Sequence, residues 1–364
     1  MQINEITSHL ESIAPLSLQE SYDNAGLIIG NPAGTISKAL ITLDVTEKVI
    51  DEAIFNKCQL IIAHHPLIFG NISIIRSDNF TGKCIIKAIK NNISIYAIHT
   101  NFDNIDSGVN AALCRKIGLL NCKILKPKKN ILKKLVTFCP DKYADKVRKA
   151  LFEAGAGNIG NYDSCSYNTE GFGTFRALDN ANPFVGQAYK LHQEKEVRIE
   201  TIFPGYNEKK LLKALFETHP YEEVAYDIYP LENAFSKVGE GMIGELEKVI
   251  GLNDFLKKLK FKLKIPVVKH NAISNKKIKK VAVCGGAGSF LISDAIANEA
   301  DIFLTSEIKY HQFFEGGNSL IIADIGHYES EQFMKETLCE ILNKKFPTFA
   351  VLISKVNTNP VKYF

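Results

Sequence analysis

No apolar run in this 364-residue chain approaches the length needed to cross a bilayer, and the opening MQINEITSHLESIAP has neither a basic n-region nor an apolar h-region. Membrane insertion and secretion are therefore excluded as expectations. CxxC pairs are also missing: the eight cysteines are scattered through helix-like and strand-like stretches, the pattern of reduced, mostly buried thiols in a cytoplasmic protein. Strong charge of either sign is lacking too. A net charge of +4 is too mild to imply a polyanion partner, although lysines crowd 123–134 and 257–280, which read as solvated linker and helix faces.

What is present is apolar content of 46% in a chain longer than one core normally needs, so two or three domains are expected. Up to about residue 120, β-rich runs (ALITLDV 39–45, QLIIAHH 59–65, ISIYAIH 93–99) alternate with helix-period segments near 46–57, 82–91 and 107–118. The same grammar returns from 237 in KKVAVCGG (279–286), DIFLTSE (301–307), SLIIADIGH (319–327) and FAVLISK (349–355), with helices near 289–299 and 328–343. Apolar runs separated in this way indicate parallel or mixed sheets in α/β layers.

The middle reads differently. Strand 135–140 and helix 144–155 precede a Gly/Asn/Ser/Tyr-rich stretch holding two strands, then strand 197–204, helix 207–220 and strand 223–231 follow. A β-α-β-β-α-β order is the ferredoxin-like pattern. The expected organisation is thus an α/β protein of two similar halves, 1–129 and 237–364, forming one outer unit with an α+β domain, 130–236, inserted between them.

Polar residues fall where apolar strands stop, in IIAHHP, IHTNFD and ADIGHYESE. Ligands of open α/β sheets bind at that carboxyl edge, so three distant clusters can meet there. Adjacent side chains on a strand diverge, and His64 and His65 suit one ion each better than one ion together. His327 and Glu331, four apart at a helix start, share a face and can converge on one ion, while the two oxygens of Glu331 can bridge two. Asp103 completes the set. Imidazoles with carboxylates and no thiolate favour Zn²⁺, Mn²⁺, Fe²⁺ or Ni²⁺ over Ca²⁺ or a structural zinc, and two such ions can acidify a water and stabilise attacking and leaving oxygens.

Around these, His99 and His311 are candidate general acids or bases; Thr100 shares the loop of His99, and Glu307 and Tyr310, in the segment of His311, are candidates to contact substrate. The loop Gly285-Gly286-Ala287-Gly288-Ser289 follows a strand and opens a helix, so the N–H groups of Gly286, Gly288 and Ser289 are candidates to cradle a phosphate, without the Lys-Ser/Thr of a P-loop. Asp23-Asn24 before Gly26 reads as a turn.

In one order, DNAGLIIG (23–30), IIAHHPLIF (61–69), IHTNFD (98–103), CGGAGS (284–289), LTSEIKYHQ (304–312) and GHYESE (326–331) resemble the GTP cyclohydrolase I type 2 homologue family, the dinuclear metal centre hexameric proteins. That resemblance implies a toroidal homohexamer with two divalent metal ions per subunit. It implies that His65, Asp103 and Glu331 serve one ion and His64, His327 and Glu331 the other. The middle segment is similar to the PII/CutA-type insertion of longer members, expected to cap the ring opening or sense a ligand. Three functions follow as expectations: a metal-dependent hydrolase on a nucleotide or other phosphate-bearing small molecule, a non-enzymatic metal-handling or ligand-sensing ring, and a nucleic-acid-associated ring guided by the lysines.

Overall fold

A computed structural model of the chain describes residues 1–271 and 276–364; residues 272–275, inside the second lysine-rich stretch, lie outside the described residues. Two compact units are present, one from Met1–Lys126 with Lys237–Phe364 and the other from Pro127–Ser236. The architecture is α/β, with an α+β domain inserted in the chain of the larger unit.

The larger unit contains two sheets. In the first, strands run in the spatial order Gly26–Ile29, Ser94–Ala97, Leu60–Ala63, Lys38–Thr42 and Ala350–Ile353. All neighbours are parallel except the edge strand Gly26–Ile29. Every residue of Leu60–Ala63 and Ser94–Ala97 is buried, which is why these segments read as unbroken apolar runs instead of alternating ones. Helix Glu47–Phe55 is capped by the Thr46 hydroxyl, and helix Phe80–Lys90 by the Asn79 side chain. Both lay Val49, Ile50, Ala53, Cys84, Ile85 and Ala88 on this sheet.

The second sheet runs Lys269–His270, Ile321–Asp324, Ile302–Ser306, Lys277–Ala287, Phe235–Gly251 and Leu120–Lys128, its middle three strands parallel. Helices Val109–Ile117 and Leu252–Leu263 cover one face, and the short helix Ile292–Ala297 covers the other.

The sheets do not follow the chain halves. FAVLISK, expected beside the other late strands, instead pairs parallel with the first sheet, Ala350 opposite Lys38 and Ile353 opposite Ile41. Helix Met334–Lys345 packs on both of these strands and carries the chain across. In return, Leu120–Lys128 forms the edge of the second sheet. The helix expected over 328–343 is divided into His327–Glu331 and Met334–Lys345, and the one expected over 289–299 begins as a 3₁₀ turn, Ser289–Leu291.

In the inserted domain strand Leu132–Pro140, helix Asp141–Glu153, strands Tyr167–Phe175 and His192–Pro204, helix Glu208–Thr218 and strand Tyr226–Pro230 give the ferredoxin-like order. The four strands are antiparallel, ordered Tyr167–Phe175, His192–Pro204, Leu132–Pro140, Tyr226–Pro230. The Gly/Asn/Ser/Tyr-rich stretch holds one strand of its own, not two, because the next strand starts at His192, five residues before the apolar VRIETIFP. Both helices bury Val147, Leu151, Leu211 and Leu215 on one face of this sheet. Among the described residues no helix is long and apolar enough to cross a membrane.

Candidate metal centre

Strand Leu60–Ala63 ends directly before His64 and His65, and Ser94–Ala97 ends two residues before His99. The four-residue helix Thr100–Asp103 then turns Asp103 back towards them. From the second sheet, Ile321–Asp324 stops before Gly326, whose left-handed φ of 87° starts the helix His327–Glu331. These carboxyl edges meet at a cavity of about 670 Å³ lined by His65, His99, Asp103, His327 and Glu331, with His64 buried beneath.

The partners of the four imidazoles fix their tautomers. His64 Nδ1 lies 2.8 Å from the Ile98 carbonyl, which only accepts, so Nδ1 carries the hydrogen and Nε2 is a bare lone pair. Nδ1 likewise faces an accepting oxygen where His65 meets Asp44, His99 meets Asp23 and His327 meets Glu307, each at 2.7 Å, which leaves Nε2 of each as the position for a proton or a metal ion. Donation of one ring N–H to an oxygen, with the other nitrogen facing a shared space, is the arrangement that orients metal-binding histidines.

Glu331, buried to 3% exposure, stands among three of these nitrogens, those of His64, His65 and His327. Its Oε2 lies 3.0 Å from His65 Nε2 and 3.2 Å from His327 Nε2, and those two nitrogens are 3.3 Å apart. Its Oε1 lies 3.8 Å from His64 Nε2, which is 3.6 Å from Asp103 Oδ1. His65 and His327 therefore gather at one oxygen of Glu331, and His64 and Asp103 on the other side. This exchanges the partition implied by the resemblance, which joined His65 to Asp103 and His64 to His327. The i, i+4 pair His327 and Glu331 does converge, as its spacing predicts. His99, expected only as an acid or base, stands with its ring centroid 5.1 Å from that of His64 and 5.3 Å from that of His65, so that all three offer ligand atoms to a common point.

Three buried atoms here, His64 Nε2, Asp103 Oδ1 and Glu331 Oε2, lack a hydrogen-bond partner among the described residues. Leaving each bare costs about 1–3 kcal/mol, and a cation among them removes that cost. The donor set fits a divalent ion of the zinc, iron, manganese or nickel kind. Protonation follows the same logic. Burial lowers His64 to about 4 against the pull of Glu331, keeping it neutral. Burial would also lower His65 and His327, but Asp44 and Glu331 raise the first to about 10, and Glu331 with Glu307 raises the second to about 9. Burial and the charge of Glu331 lift Asp103 well above the usual carboxylate range. Burial opposes ionisation of Glu331 too, but His327, His64 and His65 hold it well below that range.

Glycine is required at one position of this wall. Gly286 has φ of 65°, and a Cβ there would sit 2.4 Å from Glu331 Oε1 and 3.3 Å from His327 Nε2. The expected phosphate cradle is corrected on the same ground. The Gly286 N–H donates to the Ser330 hydroxyl and the Gly288 N–H to the Thr305 hydroxyl, so neither is available to a phosphate, and Ser289 opens only a 3₁₀ turn. His311 is likewise not brought to the centre: it is exposed on the turn Tyr310–Phe314, ring to ring with Tyr310 and Phe314, and does not line the cavity.

Other residues matter more than their sequence context suggests. Asp23, read as part of a turn, is a buried carboxylate that accepts from His99, from the Thr100 N–H at 3.0 Å and from the Thr100 hydroxyl. Burial would raise it, but His99 and Thr100 bring it down to about 2. Asp44 holds His65 through Oδ1 and accepts from the Thr358 hydroxyl at 2.5 Å through Oδ2. Glu307 takes a left-handed φ of 59°, rare for a residue with a side chain, while its carboxylate orients His327. Asp44 does end an apolar strand run, the signal that marks the other site residues.

An α/β protein with His/Glu groups able to hold metal at the carboxyl edges of two sheets is thus the class that fold and site define. The particular family follows from comparison with known proteins: the chain belongs to the Duf34/NIF3 (NGG1p interacting factor 3) family, whose profile matches residues 1–360. It is 39% identical over 365 residues to a Bacillus subtilis protein named GTP cyclohydrolase 1 type 2 homolog, covering 99% of this chain and 98% of that one. A Staphylococcus epidermidis protein of the same name is 37% identical over 372 residues, covering all of both. The solved structure of a Bacillus cereus protein related to NIF3 matches with a TM-score of 0.88 at 39% identity, over 100% of this chain and 99% of that one. Staphylococcus aureus protein SA1388 matches at 0.79 and 31% over the same shares. The family resemblance and the α/β architecture read from the sequence are borne out.

Proposed function

We propose that this chain holds two divalent metal ions and acts as a metal-dependent hydrolase on a nucleotide or similar phosphate-bearing small molecule. One observation carries the metal half of this reading: Nε2 of His64, His65 and His327 lie about a buried carboxylate, and His64 Nε2, Asp103 Oδ1 and Glu331 Oε2 are left unpartnered among the described residues. His65, His327 and Glu331 would hold one ion, and His64, Asp103 and Glu331 the other. When bound, such a pair supplies positive charge and makes a nearby water more acidic.

The chain's own groups do the rest. His99, its Nδ1–H held by Asp23, turns Nε2 to the cavity side, where it can take a proton from a water or return one to a leaving group. Phe69 and Phe290 line the cavity with exposed rings that a planar base can cover. Among the described residues no lysine or arginine lines it, while Glu20, Asp44, Asp103, Glu240 and Glu331 do, and Lys126 stands behind, paired with Glu240 at 3.0 Å. Bound ions would therefore supply positive charge that the lining itself does not offer an anionic substrate. The name carried by the relatives makes GTP-type ring opening the most specific form of the proposal.

The carboxylate-rich lining also favours a second reading, a metal-handling protein without turnover. Turnover of a nucleotide panel, measured after restoring each metal to chelator-treated protein, separates them. Hydrolysis that disappears in a His65→Ala, Glu331→Ala double variant supports the enzyme; the same rate in that variant sinks it, and readily exchanged metal with no turnover favours the second reading. We extend the proposal to assembly as a cytoplasmic homohexamer, which light scattering of the purified protein checks.

A further inference from the structure

The inserted domain has its own cavity, of about 710 Å³, on the side of its sheet away from the helices. Its floor exists because the strand Tyr167–Phe175 carries glycine at alternate positions, 171 and 173, which fall on one face. A Cβ at Gly171 would meet nothing within 4 Å, so the strand leaves a gap there. At Gly173 a Cβ would lie 2.2 Å from Glu196 Oε2, so only glycine lets that carboxylate lie across the strand.

Glu196 is 8% exposed, deep among rings. Its Oε1 accepts from the Tyr221 hydroxyl at 2.8 Å. Around it, Phe175 and Tyr221 have ring centroids 6.0 Å apart, Phe184 and Tyr221 6.2 Å, and Phe138 closes another side. Ring faces accept a flat partner and attract positive charge, while a buried carboxylate favours a partner that donates N–H. A purely apolar ligand would leave the Glu196 charge desolvated and uncompensated. Two arginines also line the cavity, but Arg198 pairs with Glu200 at 2.9 Å and Arg176 is exposed, so Glu196 is the buried charge that a ligand meets.

We propose that this cavity binds a small planar nitrogen compound, an aryl amidine or amino-substituted heterocycle, which stacks on Phe175, Phe184 and Tyr221 and donates N–H to Glu196. This site stands independently of the metal centre and of the hydrolase reading.

The test uses the full-length protein with benzamidine and 2-aminopurine as ligands and benzyl alcohol as an aromatic control without N–H, titrated by calorimetry and saturation-transfer NMR. A Kd below about 1 mM for at least one nitrogen compound, about tenfold tighter than the alcohol, is expected. Glu196→Gln keeps an acceptor for Tyr221 and should weaken binding about tenfold. Phe184→Ala, at a half-exposed ring, leaves the fold intact and should weaken it several-fold. Absence of binding to the native protein overturns the proposal, as does equal affinity in native protein and Phe184→Ala, or a benzyl alcohol affinity equal to that of both nitrogen compounds.

Discussion

The cavity at the two sheet edges and the cavity in the inserted domain are close in size, about 670 and 710 Å³, yet their buried acids call for different partners. Among the described residues Glu331 has an oxygen and two neighbours, His64 Nε2 and Asp103 Oδ1, without a partner, and three imidazoles bring Nε2 close to it. Glu196 is anchored by a tyrosine hydroxyl and walled by rings. The first group leaves buried atoms that a cation would satisfy; the second meets its carboxylate with one neutral hydroxyl and rings, which suits a ligand that donates N–H. The contrast teaches that burial of an acid marks a site only when its partners are counted, because the deficit names the missing ligand.

The largest effect that can break this contrast comes from Glu331→Gln. Both candidate ligand groups share this side chain, so the variant should lose both ions, with affinity reduced by two orders of magnitude or more, while a nitrogen ligand still binds the inserted domain unchanged. Elemental analysis beside calorimetry reads both. Retention of two ions would show that Glu331 is not the shared ligand.

Next in size is a dependence on pH that only metal-free protein should show. His65 and His327 are raised to about 10 and about 9 from an ordinary value near 6.5. Groups with raised folded values stabilise the fold fully below about pH 6.5, and that contribution is lost as pH rises through 9 to 10. The unfolding temperature of chelator-treated protein should therefore fall by several degrees between pH 7 and pH 10. In metal-loaded protein the ion stands where the proton would, and this loss should be much smaller. Parallel curves for the two forms would mean that no ion occupies the space between His65, His327 and Glu331.

A smaller effect is expected from the C-terminal segment. Thr358 holds the Asp44 oxygen opposite the one that orients His65, and Asn359 holds Glu329, within the short helix that carries His327 and Glu331. Removing a group that orients a ligand commonly costs 10–100-fold in metal affinity, and Thr358 acts one bond further out. Thr358→Val should weaken metal binding by roughly tenfold, and Thr358→Ser should restore it. A Val variant with native affinity would make Asp44 self-sufficient.

Legibility divides along the same physical lines. His64, His65, Asp103, His327 and Glu331 are visible in sequence because each stands near the point where an apolar run stops, and His327 with Glu331 adds a helical spacing. Asp44 stands in a comparable place, yet a single acid has no spacing to recommend it, and Asp23 looks like a turn because its partners, His99 and Thr100, are distant in sequence. The partition between the oxygens of Glu331 depends on how the two sheet edges face each other, which no local pattern records. The same is true of the strand exchange: burial on both faces identifies Ala350–Ile353 as a strand but says nothing about which sheet it joins. The glycines of the CGGAGS segment mark close approach correctly, but what approaches is the side chain of Glu331 and not a phosphate.

His311 carries the smallest expected effect and the sharpest lesson about strand ends. It follows the strand Ile302–Ser306 in LTSEIKYHQ just as His327 follows Ile321–Asp324, and sequence alone gives them similar standing. The chain then turns at Glu307, whose left-handed backbone aims its carboxylate at His327, and the next residues leave the cavity on the turn Tyr310–Phe314. One residue of that segment is thus kept at the centre and the histidine is carried off. His311→Ala should change metal affinity less than twofold, whereas Glu307→Gln, which weakens the acceptor on His327 Nδ1, should cost several-fold. Should the order invert, with His311→Ala the more damaging in metal binding, the exposed turn would have to supply a ligand that this subunit's own cavity does not contain.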